Sequence, residues 1–160
     1  MSITIQPFAQ QHVAGAAELE RQCFAVPWTE GALREELENP NALFLAAVDT
    51  ESGETVGYLG CHQILDEGYI ANVAVSFRHR RQGIGGRLVR ELIERAKAKG
   101  ASFLTLEVRI SNEAAIALYR RYGFRPVGTR PNFYEKPRED ALLMTLEFVE
   151  NNTNERTEVR

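Results

Sequence analysis

Short apolar runs between turns dominate the first part of the chain, and apolar residues at helical spacing enter later. Ile3-Thr4-Ile5 reads as a first strand, and residues from Gln10 to Gln22 read as helical. After Pro27-Trp28, Thr29 is placed to cap a helix, with Glu30 in its first turn. Leu33 and Leu37 give that helix an i,i+4 apolar pair, and Asn39-Pro40 ends it. Strands are expected at Leu43 to Val48, Thr55 to His62 and Gly68 to Val75. The turn residues Thr50-Glu51-Ser52-Gly53 predict that the first two of these form a hairpin.

The spacing then changes. Leu88, Val89, Leu92, Ile93 and Ala96 form one helical stripe, with Lys97 and Lys99 favouring the helix C-terminus and Gly100 just beyond it. Phe103 to Val108 reads as another strand. Asn112 is a second N-cap, ahead of the stripe Ala115, Leu118, Tyr119, Tyr122 and a closing Gly123. Ala141 to Phe148 is the last expected strand. A strand meander followed by alternating strands and helices predicts an α/β (mixed α+β) architecture, a central mixed sheet with helices on both faces. Neither an internal repeat nor a linker is visible, so one domain is expected over residues 1–149, followed by a polar, disordered tail over 150–160.

Composition narrows the function classes. The chain has 160 residues, 44% hydrophobic and 26% charged, which is ordinary for a soluble globular domain able to bury its own core. A net charge of -3 argues against a nucleic-acid binder. The two cysteines, Cys23 and Cys61, form no CxxC pair and suit a reducing, cytoplasmic setting as buried small hydrophobes. The three histidines lack zinc-ligand spacing, so no metal is expected. No signal peptide is visible, and no run approaches the roughly 18 apolar residues that cross a bilayer.

The segment Arg80-Arg81-Gln82-Gly83-Ile84-Gly85-Gly86-Arg87-Leu88 carries the most chemistry. It joins the apolar run Ile70 to Val75 to a helix through a basic, glycine-rich turn. Such a turn lets main-chain N–H groups approach an anion closely, at a helix start where those groups lack partners. A plain strand–helix connection is the other reading of the same residues. Two phosphate signatures are excluded: no GxxxxGK[ST] occurs, and Leu88 stands where the third glycine of G-x-G-x-x-G would fall.

Arg80-Arg81-Gln82-Gly83-Ile84-Gly85 matches [QR]-x-x-G-x-[GA], the acetyl-coenzyme A signature of the GCN5-related N-acetyltransferase (GNAT) superfamily, which the chain resembles. Further matches are Pro27-Trp28, Asp66 to Ile70, Leu106 to Arg109, Ser111-Asn112, Ala117 to Tyr119, Gly123-Phe124 and Arg138 to Ala141. Together they resemble the RimI-type ribosomal-protein-alanine N-acetyltransferases. The resemblance implies the acyl-coenzyme A N-acyltransferase fold, with acetyl-coenzyme A as co-substrate. It implies that Val73, Ala74 and Val75 hold the pantetheine and acetyl group through backbone groups, and that Arg81, Gln82, Gly83, Ile84, Gly85 and Gly86 hold the pyrophosphate. Asn112 would contact the coenzyme as well as capping its helix, Glu107 would be the general base and Tyr119 the general acid.

Elementary chemistry agrees with those two roles. A protein α-amine has a pKa near about 8, so at neutral pH a base must take its proton before it can attack. The leaving thiolate then needs a proton, which a tyrosine hydroxyl can give. Solvent-facing polarity for Glu107 and core filling for Tyr119 are the structural alternatives. The implied acceptor is the N-terminal alanine of a small-subunit ribosomal protein, attracted by an acidic rim of Asp66, Glu67, Glu139 and Asp140. Other acceptors, namely other N-termini, lysine or a small amine, stay open. So do a non-catalytic acyl-coenzyme A module and a ping-pong route through Cys61. A monomer or weak dimer is expected, without nucleic acid or membrane. One departure stands out: Arg130-Pro131-Asn132-Phe133-Tyr134 has Phe133 where relatives carry the first of two tyrosines.

Overall fold

The computed structural model describes residues 2–148. The expected tail over 150–160 and the end of the expected domain lie outside those residues. Seven strands form one sheet in the order β1-β2-β3-β4-β5-β7-β6. They are β1 (Ile3–Pro7), β2 (Leu45–Asp49), β3 (Thr55–Ile64), β4 (Glu67–Val75), β5 (Phe103–Arg109), β6 (Arg125–Glu135) and β7 (Arg138–Glu147). The helices are α1 (Val13–Cys23), α2 (Glu30–Glu35), α3 (Ile84–Ala98) and α4 (Glu113–Arg121). No helix of the described residues is long and apolar enough to cross a membrane.

Helices cover both faces, as the order of elements predicted. On one side α3 buries Leu88, Val89, Leu92 and Ala96 against Leu45, Leu59, Ile70, Leu104 and Leu106, and α4 adds Tyr119. On the other side α1 buries Val13, Ala16, Ala17 and Leu19 with Leu33 of α2 against Phe44, Tyr58 and Ala74. Each fully buried leucine contributes roughly 1.5–3 kcal/mol of apolar transfer, so both helical layers are held mainly by area removed from water. Local signals act as expected: Thr29 Oγ1 accepts from Ala32 N at 3.1 Å and Asn112 Oδ1 from Ala115 N at 3.2 Å.

The strand β6 was not legible in the sequence. Nearly every residue of it is exposed, it pairs only with β7, and it contains Pro126, Gly128 and Pro131. An edge strand tolerates proline because one row of its N–H groups has no ladder partner, so its sequence reads like a loop. The pairing with β7 slips between Arg130 and Tyr134, and Asn132 there takes a positive φ of 55°.

Only β4 and β5 run parallel, and they pair over just four positions, from Glu67↔Phe103 to Ile70↔Leu106. Beyond that point β5 stays with β7 while β4 stays with β3, so the sheet forks. A bulge sits at the fork: Gly60 pairs with Asn72 and Cys61 with Ile70, leaving Ala71 as the extra residue. A bulge bends its strand and re-aims the side chains after it. Tyr69, before the bulge, and Asn72 and Ala74, after it, therefore all face the α1/α2 side, whereas Ile70 faces α3.

At the other end of the sheet, buried His12 closes the turn into α1, where its Nδ1 accepts from Ala9 N at 2.9 Å. Burial lowers the His12 pKa from its ordinary value. Below about pH 6.5 the unfolded chain therefore binds the proton more readily, and stability present above that pH is lost as pH falls through the folded value. Urea unfolding should show a lower midpoint at pH 5 than at pH 7. His12→Ala should start lower and lose less over the same interval.

Candidate active site

Alternation along β4 sets which backbone groups are free at the fork. Ser76 N donates to Val56 O at 2.9 Å, so Ser76, and by the two-residue period Ala74, direct their backbone groups to β3. The N–H and C=O of Val73 and Val75 point the other way, into the gap that β5 has left. Ala74 does not share this orientation. Its side chain is buried against α1, and its carbonyl lies against Gly57 of β3, so its backbone is committed to the sheet. Of the three expected coenzyme contacts on β4, Val73 and Val75 thus have backbone groups outside the β3 ladder. The Val75 carbonyl accepts from Arg80 Nε at 3.3 Å, and the same guanidinium lies 4.3 Å from the Phe77 ring centre.

The basic turn reads the gap from the α3 side. Arg81 and Gly83 both take left-handed φ values, 65° and 79°. No side chain caps α3, whose first N–H groups belong to Ile84, Gly85 and Gly86. Closely spaced N–H groups with the positive end of a helix dipole fit a pyrophosphate, with exposed Arg81 and Gln82 at its edge. The three glycines have different reasons. Gly83 needs its positive φ. A Cβ on Gly85 would meet Leu118 at an ordinary 3.4 Å, so alanine fits there, which accounts for a signature that accepts Gly or Ala at this position and Gly alone at Gly83. A Cβ on Gly86 would lie 2.6 Å from the Tyr122 hydroxyl, so this glycine serves the packing of α3 on α4. Asn112 spends its Oδ1 on the α4 cap, and its Nδ2 makes no hydrogen bond among the described residues.

Glu107 is the first residue of β5 beyond the parallel pairing. Its neighbours Leu106 and Val108 go into the α3/α4 core, so its side chain faces the opposite side, with Tyr69 and Thr105. It is 8% exposed, and both its oxygens are engaged. Oε1 accepts from the Tyr69 hydroxyl, and Oε2 pairs with Arg130 Nε at 2.9 Å. Neither Tyr69 nor Arg130 was singled out from sequence. Each is remote from Glu107 in the chain, and the register of β4, and of β6 through β7, brings them there. Burial first, then the bond to Glu107, pushes the Tyr69 hydroxyl well above its ordinary value.

Tyr119 comes to the fork from the opposite face. It is 7% exposed, packs its ring 5.6 Å from Phe124, and makes no hydroxyl hydrogen bond among the described residues. Burial, with the nearby Tyr134 hydroxyl, raises its pKa well above 10. Tyr134 links the two sides: burial and then the Glu107 charge push its own pKa up to about 12. Its ring lies 4.4 Å from the Arg109 guanidinium. The structure therefore keeps Glu107 on the α1/α2 side and Tyr119 on the α3/α4 side of the sheet, each near Tyr134. A cleft of about 460 Å³, lined in part by Asn39, His62, Tyr69 and Thr105, opens on the Glu107 face.

Two expectations change. Glu67 begins β4 opposite Phe103, with Asp66 just before it, whereas Glu139 and Asp140 lie beside Arg109, six residues or about 20 Å along β5. No single acidic rim forms. Asp66 Oδ2 accepts from Ser102 Oγ, Glu139 pairs with Arg109 at 3.0 Å and accepts from Ser111 N, and Asp140 accepts from Asn132 N. These carboxylates fix turns. Cys61 is fully buried, and burial pushes its thiol up to about 12, which removes it as a nucleophile.

The family model "Acetyltransferase (GNAT) family" matches residues 13–124. The chain belongs to the GNAT acetyltransferases, whose acetyl donor is acetyl-coenzyme A. Among its relatives is a putative ribosomal protein bS18-alanine N-acetyltransferase of Bacillus subtilis, 41% identical over 83% of this chain and 87% of that one. The bS18-alanine N-acetyltransferase of Escherichia coli K12 is 34% identical over 89% and 96%. The crystal structure of the Escherichia coli ribosomal-protein-S18-alanine N-acetyltransferase superposes with a TM-score of 0.83, at 32% identity over 91% and 94% of the two chains. The NatC complex bound to Gag peptide and CoA superposes with a TM-score of 0.82, at 26% identity over 92% and 99%.

Gly85→Ala should leave both the melting temperature and the KM for acetyl-coenzyme A close to wild type. Gly83→Ala should cost about 1–2 kcal/mol from its left-handed φ and raise that KM. Thermal melts and steady-state kinetics on both variants check the difference.

Proposed function

We propose that this enzyme acetylates the α-amine of a protein N-terminus, and that its acceptor is the N-terminal alanine of ribosomal protein bS18. The observation that carries this reading is Glu107, a carboxylate at the first position of β5 beyond its parallel pairing with β4, on the sheet face that Tyr69 and Thr105 share with a cleft and opposite the coenzyme turn. The bS18-alanine activity for which relatives at 34% and 41% identity are named supports the choice of acceptor. Acetyl-coenzyme A, when bound, supplies the thioester that the amine attacks and the thiolate that leaves. The residues suited to hold it are Arg81 to Gly86 for pyrophosphate, Val73 and Val75 through their backbones for the pantetheine arm, and Asn112 through Nδ2.

An N–H of β4 directed at the thioester oxygen would polarise it as an oxyanion-type donor. Glu107 takes the proton of the acceptor ammonium, directly or through one water, while Arg130 and Tyr69 keep the carboxylate aimed at the fork. The amine nitrogen bonds to the acetyl carbon, the carbon–sulfur bond breaks, and Tyr119 gives its hydroxyl proton to sulfur. The raised Tyr119 pKa keeps that proton in place throughout the neutral range. The two faces thus separate the base from the acid.

Peptides beginning with free alanine should be acetylated, and the same peptides with a blocked N-terminus should not be, even when they contain lysine. Mass spectrometry of the products decides this, and transfer to lysine or only to small amines would contradict the proposed acceptor. Glu107→Gln and Tyr119→Phe should each lower kcat by about 10²–10⁴-fold. In the wild type kcat should not fall between pH 8 and pH 10, because the folded Tyr119 ionises above that range.

A further inference from the structure

Glu20 of α1 is fully buried, yet no part of the chemistry above uses it. Three donors converge on its carboxylate: Trp28 N on Oε1 at 2.9 Å, Asn72 Nδ2 on Oε2 at 2.8 Å, and the Tyr58 hydroxyl, also on Oε2. A buried carboxylate without such partners would cost several kcal/mol, and even a paired one is a poor source of stability. Its raised pKa, caused first by burial, agrees. The arrangement is therefore better understood by what it orients.

What it orients is Asn72. This residue follows the Ala71 bulge at the fork, is half-buried, and stands on the same face of β4 as Tyr69, the partner of Glu107. A carboxylate only accepts, so the Asn72 amide must turn its Nδ2 inward, where it also reaches the Tyr58 oxygen at 3.3 Å. Its Oδ1 is left facing outward and makes no hydrogen bond among the described residues. A hydrogen-bond acceptor of fixed orientation thus stands at the fork on the face where the incoming amine must arrive.

We infer that Asn72 is an acceptor-binding residue, its Oδ1 taking an N–H of the incoming amine, and that Glu20 is the positioning residue that aims it. This rests on the reading that the acceptor is an amine entering from the Glu107 face. One proton of the ammonium goes to Glu107, a second N–H is held by Asn72 Oδ1, and the lone pair is thereby directed at the acetyl carbon. No proton moves to Asn72. A neutral oxygen suits the task, since it orients the amine without adding a second charge that would favour the unreactive ammonium.

Three single variants and one double variant test this, with an alanine-starting peptide as acceptor. Asn72→Ala should raise the peptide KM by roughly three- to tenfold, the worth of one hydrogen bond, and leave the acetyl-coenzyme A KM unchanged. In Glu20→Gln, the Trp28 N–H claims the single side-chain oxygen, so the new NH₂ faces Asn72 and drives its amide to flip. That variant should raise the peptide KM as much as Asn72→Ala although it touches no substrate, and the double variant should be no worse than Asn72→Ala alone. Tyr58→Phe removes a buried donor from the same carboxylate but keeps its bond to Asn72. It should lower the melting temperature while leaving the peptide KM within about twofold of wild type. Calorimetric binding of coenzyme A checks that each variant is folded. An unchanged peptide KM in folded Asn72→Ala, or a KM that simply follows melting temperature across the set, overturns the inference and leaves the proposed acceptor standing. A wild-type enzyme that acetylates no alanine peptide removes the proposed acceptor and this inference together.

Discussion

The gap at which the proposed site residues gather exists because β4 and β5 part after four paired residues. A continuous sheet would satisfy the backbone groups of Val73 and Val75 with a neighbouring strand. It would also bury the space between Glu107 and the start of α3. The fork persists because each strand has another partner to follow: β3 for β4, and β7 for β5. The helical layers brace the two arms from opposite sides, α3 and α4 from one and α1 and α2 from the other. The opening is thus held by the core around it, and the hydrogen bonds that it leaves unmade are available to a ligand.

The two faces of that opening carry different groups. On the α3/α4 face stand the uncapped helix start, the arginines and Tyr119 with its proton retained by burial. On the α1/α2 face stand two carboxylates in different settings. Glu107 is paired with Arg130 and bonded by Tyr69, which lines the cleft, whereas Glu20 is sealed among three donors, Asn72 among them. Donor and acceptor can therefore approach one gap from opposite directions. The acidic side chains at the ends of β5 stabilise turns and Arg109 and form no common rim.

The glycine turn and the helix caps were far more legible in the sequence than the surroundings of Glu107, and the reason is locality. Gly83, Gly85 and the Asn112 cap act through their own backbone and the turn they start, so spacing alone reveals them. Thr29 and the α3 stripe were readable for the same reason. Tyr69, Arg130 and Asn72 acquire their surroundings from pairings across the sheet, and nothing within a few residues of them signals it. The exposed edge strand β6 carries no apolar alternation, so the element that brings Arg130 and Tyr134 to Glu107 was invisible. Ala74 shows the converse, a residue inside a run contiguous in sequence whose backbone the sheet already uses.

The central claim is that unpaired backbone N–H groups at the fork and at the start of α3 receive the coenzyme. Amide hydrogen exchange followed residue by residue by NMR, with and without coenzyme A, tests it most directly. The account predicts slower exchange and shifted resonances for Val73, Val75, Ile84, Gly85 and Gly86, while Ala74, already bonded to β3, keeps its exchange rate. Unchanged exchange at Val73 and Val75 with bound coenzyme, or protection confined to residues away from the fork, would contradict it.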